Sequence, residues 1–169
     1  MSESQLQQRG QQWLETFLKL ANMSAKVTPE LRETFSEKSC WLTIDPSALN
    51  PEQVDSLLNN GGSVLDSVQY LANSILNIGR NSDEQIAYTI ELNGYRERRQ
   101  QELMQIAEQA AEQVRQTGQE YEIKSLSSAE RRQLHTILKE SPDLDTYSRG
   151  QEPDRRLVVR LLDGSSDQE

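Results

Sequence analysis

The chain has 169 residues, room for one ordinary domain or two small ones and too few for a large enzyme. Its net charge of -9 excludes a protein that coats nucleic acid by bulk electrostatics, yet basic residues bunch at 95–99 (YRERR), 130–132 (ERR) and 154–160 (DRRLVVR). No apolar run reaches the roughly 18 residues of a membrane span, and residues 1–20 are glutamine-rich and polar rather than signal-like, so a cytoplasmic protein without membrane insertion is expected.

In chain order, residues 4–20 (SQLQQRGQQWLETFLKL) place Leu6, Trp13, Leu14, Phe17, Leu18 and Leu20 at roughly helical spacing, with Gly10 weakening the first half. A helix over about 11–22 is expected. Residues 25–45 end in CWLTID, rich in strand formers and stopped by Asp45 and Pro46, which predicts a hairpin or strand pair with Cys40 buried. Asn50 and Pro51 then have the form of a helix cap and first position, followed by an apolar stripe of Val54, Leu57 and Leu58 that Asn59-Asn60-Gly61-Gly62 interrupts. A second helix carries Val64, Leu65, Val68, Leu71, Ala72, Ile75 and Leu76, and IAYTIEL (86–92) alternates as a strand does.

The segment 95–116 has strong helix formers with Leu103, Ile106, Ala107, Ala110 and Val114 on one side. YEIKSL (121–126) reads as a strand. Ser127 and Glu130 have capping-box spacing for a helix over 128–140, which Pro142 stops. LDTYSR (144–149) and RRLVVRLL (155–162) are two further strands joined by the turn GQEP. In the last strand Leu157, Val159 and Leu161 face one way, and Arg156 and Arg160 the other with Val158 between them.

Four stretches together, LDSVQYLAN (65–73), GYRERR (94–99), ERRQLHTIL (130–138) and SRGQEPDRRLVV (148–159), resemble the Jag or SpoIIIJ-associated family, which joins a KH domain to an R-three-H domain, named for its Arg-x-x-x-His motif. The resemblance implies an α+β chain with a type II-like KH domain, strand-helix-helix-strand at its core, and an R-three-H domain with helices on a three-stranded sheet. It divides the sequence into an amino-terminal helix (1–24), a KH-like domain (25–93), an R-three-H domain (94–163, including a linking helix 96–117) and a mobile tail (164–169). Only about forty residues precede CWLTID, so the family's separate amino-terminal domain is expected to be missing. The implied function is binding of single-stranded RNA, with single-stranded DNA the alternative nucleic acid, in the control of cell elongation or division. A small KH-domain protein is a second implied partner.

The candidate contacts follow from the same stretches. Arg131 and His135 lie one helical turn apart and should emerge at the boundary of the core face, where the arginine fork suits phosphate and the imidazole suits phosphate or a base. On pattern alone they would be a surface arginine and a half-buried histidine; the resemblance makes them a nucleic-acid contact. Arg132, Arg155 and Arg156 join them. Arg96 and Arg99 are further candidates, although a solvated helix start or an ion pair with Glu102 or Glu130 explains them as well. In the family the turn before LDSVQYL reads Gly-Lys-Arg-Gly; here Asn59, Asn60, Gly61 and Gly62 stand there without its basic residues, and a ligand-free turn and a weak RNA contact remain equal readings. One cysteine and one histidine form no metal cluster, no cofactor motif is present, and nothing builds a catalytic triad or a phosphate-cradling Walker motif, so no enzymatic role is expected.

Overall fold

The computed structural model describes residues 2–34 and 37–162; the expected tail and residue 163 lie outside them. The chain divides into two units, Met1–Glu97 and Arg98–Glu169.

The first unit opens with α1, Glu3–Leu20, which starts earlier than expected because Ser2 and Gln5 form a capping box. Gly10 has a packing role in this helix. A Cβ there would lie 2.7 Å from the Tyr88 ring and 3.1 Å from Leu42, so the glycine is what lets the sheet approach. Strands β1 (Val27–Thr34) and β2 (Glu37–Ile44) pair antiparallel, and β2 pairs in parallel with β3 (Ala87–Leu92), giving the order β1-β2-β3. A parallel pair needs a crossover, and α2 (Pro51–Leu76) supplies it, entered through a capping box of Asn50 and Gln53 and broken at residues 59–62. This strand-helix-helix-strand arrangement is the KH-like core.

Leu14 and Leu18 of α1, Leu42 and Ile44 of β2, Leu65, Val68 and Ala72 of α2, and Tyr88 and Ile90 of β3 fill one apolar cluster. Cys40 sits within it as expected, its thiol pushed up to about 11 by burial and so inert as a nucleophile. The predicted stripe on α2 divides in two. Leu65, Val68, Ala72 and Leu76 are buried, whereas Val64, Leu71 and Ile75 remain about two-fifths exposed (42, 42 and 41%).

The outer edge of β3 is closed by amides spaced four residues apart on α2 and at its C-cap, Asn77. Gln69 Oε1 accepts from the Ile90 N–H (2.9 Å), Asn73 bonds both main-chain groups of Tyr88 (2.8 and 2.7 Å), and Asn77 bonds both of Ile86 (3.2 and 2.9 Å). A strand edge otherwise open to another chain is thereby satisfied internally. Glu91, buried beside this edge, accepts from the N–H groups of Arg96 (3.0 Å) and Glu97 (3.2 Å), fixing the start of α3 (Tyr95–Thr117).

In the second unit α3 and α4 (Ser128–Lys139) supply Leu103, Ala107, Ala110, Val114, Leu134 and Leu138 to a second core. Strands β4 (Tyr121–Ile123), β5 (Leu144–Arg149) and β6 (Arg156–Leu161) form an antiparallel sheet in the order β4-β6-β5. Ile123, Leu157, Val159 and Leu144 are its contribution to that core. β4 is shorter than YEIKSL suggested, since the backbone turns left-handed at Ser125 (φ 59°).

Candidate nucleic-acid interface

Helix α4 begins in a capping box: the Glu130 N–H donates to Ser127 Oγ (3.2 Å) and the Ser127 N–H to Glu130 Oε2 (2.9 Å). Its buried residues are Arg131, Leu134 and Leu138, a stripe at i, i+3 and i+7. Arg131 is therefore not at the boundary, as its sequence position suggested. Its side chain is 6% exposed, and its guanidinium donates to the carbonyls of Leu126 (2.8 Å) and Arg155 (3.3 Å) and pairs with the Glu152 carboxylate. The aliphatic stem lies along the apolar stripe, and the planar head meets carbonyls that lie outside the strand ladders.

One turn on, His135 is exposed, with Nδ1 against the hydroxyl of Thr146, a buried residue of β5. The ring is held from one side by the sheet, through a side-chain hydroxyl rather than the main chain. Arg132 is exposed on the same helix. Arg155 is exposed too, and its guanidinium has no partner among the described residues although its carbonyl is held by Arg131. His135, Arg132 and Arg155 thus belong to one region, organised around α4 and the β5–β6 hairpin.

Arg156 belongs to a different surface. It bonds Glu122 Oε2 (2.8 Å), while Arg149 joins Glu120 and Glu122 (2.8 Å each) and Arg160 joins Asp145 (2.8 Å). Glu122 and Tyr147 stand opposite Val158 in the register of the sheet, so these charges tile the face away from the helices and cover Val158 completely. Bonds from Arg156 to Glu122, from Arg149 to Glu120 and from Arg160 to Asp145 hold the three carboxyls below their usual range. Each of these arginines is matched by an acid. Sequence reasoning missed the acids, whose one signal was the alternation of Glu120 and Glu122 around Tyr121.

The early arginines serve their own units. Arg96 Nη1 meets Asp66 (2.6 Å) and Nε the Ile90 carbonyl (3.1 Å), with the side chain 11% exposed, so it ties the first turn of α3 to α2 and β3. Arg99 pairs with Glu130 (2.6 Å) and Glu102 (2.8 Å), both of the expected ion-pair partners, and the Glu130 bond raises its pKa further.

At the KH-like turn Asn60, Gly61 and Gly62 are all left-handed (φ 53, 66 and 74°). The Tyr95 hydroxyl donates to the Gly61 carbonyl (2.5 Å), and a Cβ on Gly62 would lie 2.5 Å from that hydroxyl, so only glycine fits beneath the ring. The turn is shaped and exposed at Asn59, Asn60 and Gly61, but it brings no cation of its own.

Among the described residues no group of histidine, cysteine or acidic side chains could hold a metal, and no helix is long and apolar enough to cross a membrane. Residues 101–161 match the model of the R-three-H domain. A protein of Clostridium symbiosum named RNA-binding protein KhpB is 29% identical over 156 residues, 92% of this chain and 66% of that one. Proteins of the same name from Lactiplantibacillus plantarum (27% identical, 80% of this chain and 40% of theirs) and Streptococcus pneumoniae (29%, 79% and 38%) align as well. The chain spans just under two thirds of the first of these relatives and about two fifths of the others. With an R-three-H domain in the second unit, a KH-like core in the first, and these alignments running across both, the chain carries an R-three-H domain and is similar across both units to proteins named RNA-binding protein KhpB.

Proposed function

We propose that this chain binds single-stranded RNA through its R-three-H unit, using His135 and Arg132 on α4 and Arg155 on the β5–β6 hairpin. The observation that carries this reading is the combination of an exposed, sheet-anchored His135 with an exposed Arg155 whose charge no described acid neutralises. An anchored imidazole and a free guanidinium are suited to a base and a phosphate of a single strand. The relatives' name, RNA-binding protein, supports the nucleic acid chosen. Arg156 takes a supporting part, available to phosphate only if Glu122 releases it. Arg96 and Arg99 act through the fold. The Asn59–Gly62 turn adds shape rather than charge. The biological role that goes with the family resemblance is post-transcriptional regulation in the cytoplasm, connected to cell elongation or division, with no catalytic step.

The test is a titration of the full chain with labelled single-stranded RNA across a range of salt. Affinity should fall with salt by about 0.7 log units per log unit for each phosphate neutralised. Single-stranded DNA run beside it reads whether the 2′-hydroxyl matters. Salt-independent binding, or none at low salt, would refute the proposal.

One observation favours a second activity of the first unit, pairing with a small KH-domain protein. Val64, Leu71 and Ile75 along the second part of α2 and Ile78 just past its end stay exposed (42, 42, 41 and 71%), and the only charge from Ser63 to Ile78 is Asp66, already paired with Arg96. Leu71→Asp should abolish co-elution with such a protein while leaving RNA binding intact; unchanged co-elution excludes this face.

A further inference from the structure

Between Gly150 and Arg155 the β5–β6 hairpin closes through a loop with little bonding of its own. The Asp154 N–H donates to the Gln151 carbonyl (2.9 Å), and Gly150 is left-handed (φ 87°), where a Cβ would meet the Asp154 carbonyl at 3.3 Å. Among the described residues, Arg131 ties the loop to the rest of the unit. One guanidinium reaches the loop at Glu152 through the carboxylate and at Arg155 through the carbonyl, while a third bond, to the Leu126 carbonyl, anchors it close before α4. A planar fork can make these three contacts at once; an ammonium group on a flexible stem cannot make them in the same geometry. With 6% of its side chain exposed, Arg131 has no open face left for a phosphate.

We infer that Arg131, the arginine of the Arg-x-x-x-His pair, is a positioning residue rather than an RNA ligand: it fixes the main chain at Arg155 so that the exposed Arg155 guanidinium makes the phosphate contact. The inference rests on the RNA reading above for its functional half, and on the bonds just given for its structural half. Its consequence is a specific pattern of coupling. A phosphate ligand and its positioner share one contact, so removing both costs no more than removing one. Two independent ligands add.

The experiment uses the full chain and a fluorescein-labelled uridine oligonucleotide, with anisotropy read across salt for Arg155→Gln, Arg131→Lys, Arg131→Gln and the double glutamine variant, each checked for folding by circular dichroism. Arg155→Gln should weaken binding and lower the salt slope by about 0.7, the share of one phosphate on a single strand. Arg131→Lys, which keeps the charge but loses the fork, should fall to the level of Arg155→Gln in both readings. The double variant should be no weaker than Arg155→Gln alone. Wild-type affinity in Arg131→Lys, or a double variant that loses the product of the single effects with a slope lowered by about 1.4, overturns the inference. Amide hydrogen exchange without RNA supplies an independent arm. Protection over residues 150–156 should drop in Arg131→Lys while α3 stays protected; unchanged protection at the hairpin overturns the positioning role. If the unaltered chain shows no salt-dependent binding, the RNA reading fails, and with it Arg155's phosphate contact, whereas the exchange measurement still decides whether Arg131 positions the hairpin.

Discussion

Asn73 on α2 bonds both main-chain groups of Tyr88 on β3, donating to the carbonyl at 2.7 Å and accepting from the N–H at 2.8 Å. A primary amide is the short side chain that carries both a donor and an acceptor, and here it substitutes for a neighbouring strand. Asn73→Ala leaves both groups of a buried strand residue without their partner. The loss should be roughly 2–4 kcal/mol of stability, read by urea unfolding. A loss under about 0.5 kcal/mol would mean that water replaces the amide without penalty.

Gly10→Ala in a helix interior ordinarily stabilises by about 0.5–1 kcal/mol. Here the added methyl would lie 2.7 Å from the Tyr88 ring, so the sign should reverse and the variant should lose about 1–3 kcal/mol. Thermal unfolding decides it. A raised Tm would show that Tyr88 moves aside freely.

Acid should loosen the second unit. Arg156 and Arg149 at Glu122, Arg149 and Tyr147 at Glu120, and Arg160 at Asp145 hold these carboxyls below their unfolded values. A lowered folded pKa contributes stability that is present above the unfolded value and is lost as pH falls through the folded one. Stability is therefore expected to decline below about pH 4, and Glu122→Gln should decline less steeply there. Superimposable pH profiles for the two proteins would contradict a linkage through Glu122.

Much of this was legible in the sequence, and what was not has a physical reason. The Ser127–Glu130 and Asn50–Gln53 boxes follow from three-residue spacing, and the strands β5 and β6 from alternation. The burial of Arg131 was encoded in its i, i+3, i+7 relation to Leu134 and Leu138, but a charge on a stripe reads as a boundary until its partners are known. Two of those partners are carbonyls, which carry no sequence signal. The acids that match Arg149, Arg156 and Arg160 depend on which strands are neighbours, and the role of Gly10 depends on Tyr88 in a strand far along the chain.

The two residues of the Arg-x-x-x-His pair should separate in their effects. Arg131→Ala withdraws bonds from the Leu126 and Arg155 carbonyls and opens space beside Leu134, so a loss of roughly 2–4 kcal/mol in stability is expected. His135→Ala removes an exposed ring with one hydrogen bond, to Thr146, and should lose about 1 kcal/mol or less while weakening RNA binding. Equilibrium unfolding beside RNA titration checks both. A large stability loss in His135→Ala with unchanged RNA affinity would make the histidine a structural residue.

The most direct test of RNA binding by the R-three-H unit is photo-crosslinking of the full chain to single-stranded RNA containing 4-thiouridine, followed by mapping of the linked peptides. Crosslinks should concentrate at residues 132–135 and at the hairpin around Arg155. Crosslinks confined to the Asn59–Gly62 turn, with none in the second unit, would contradict the account.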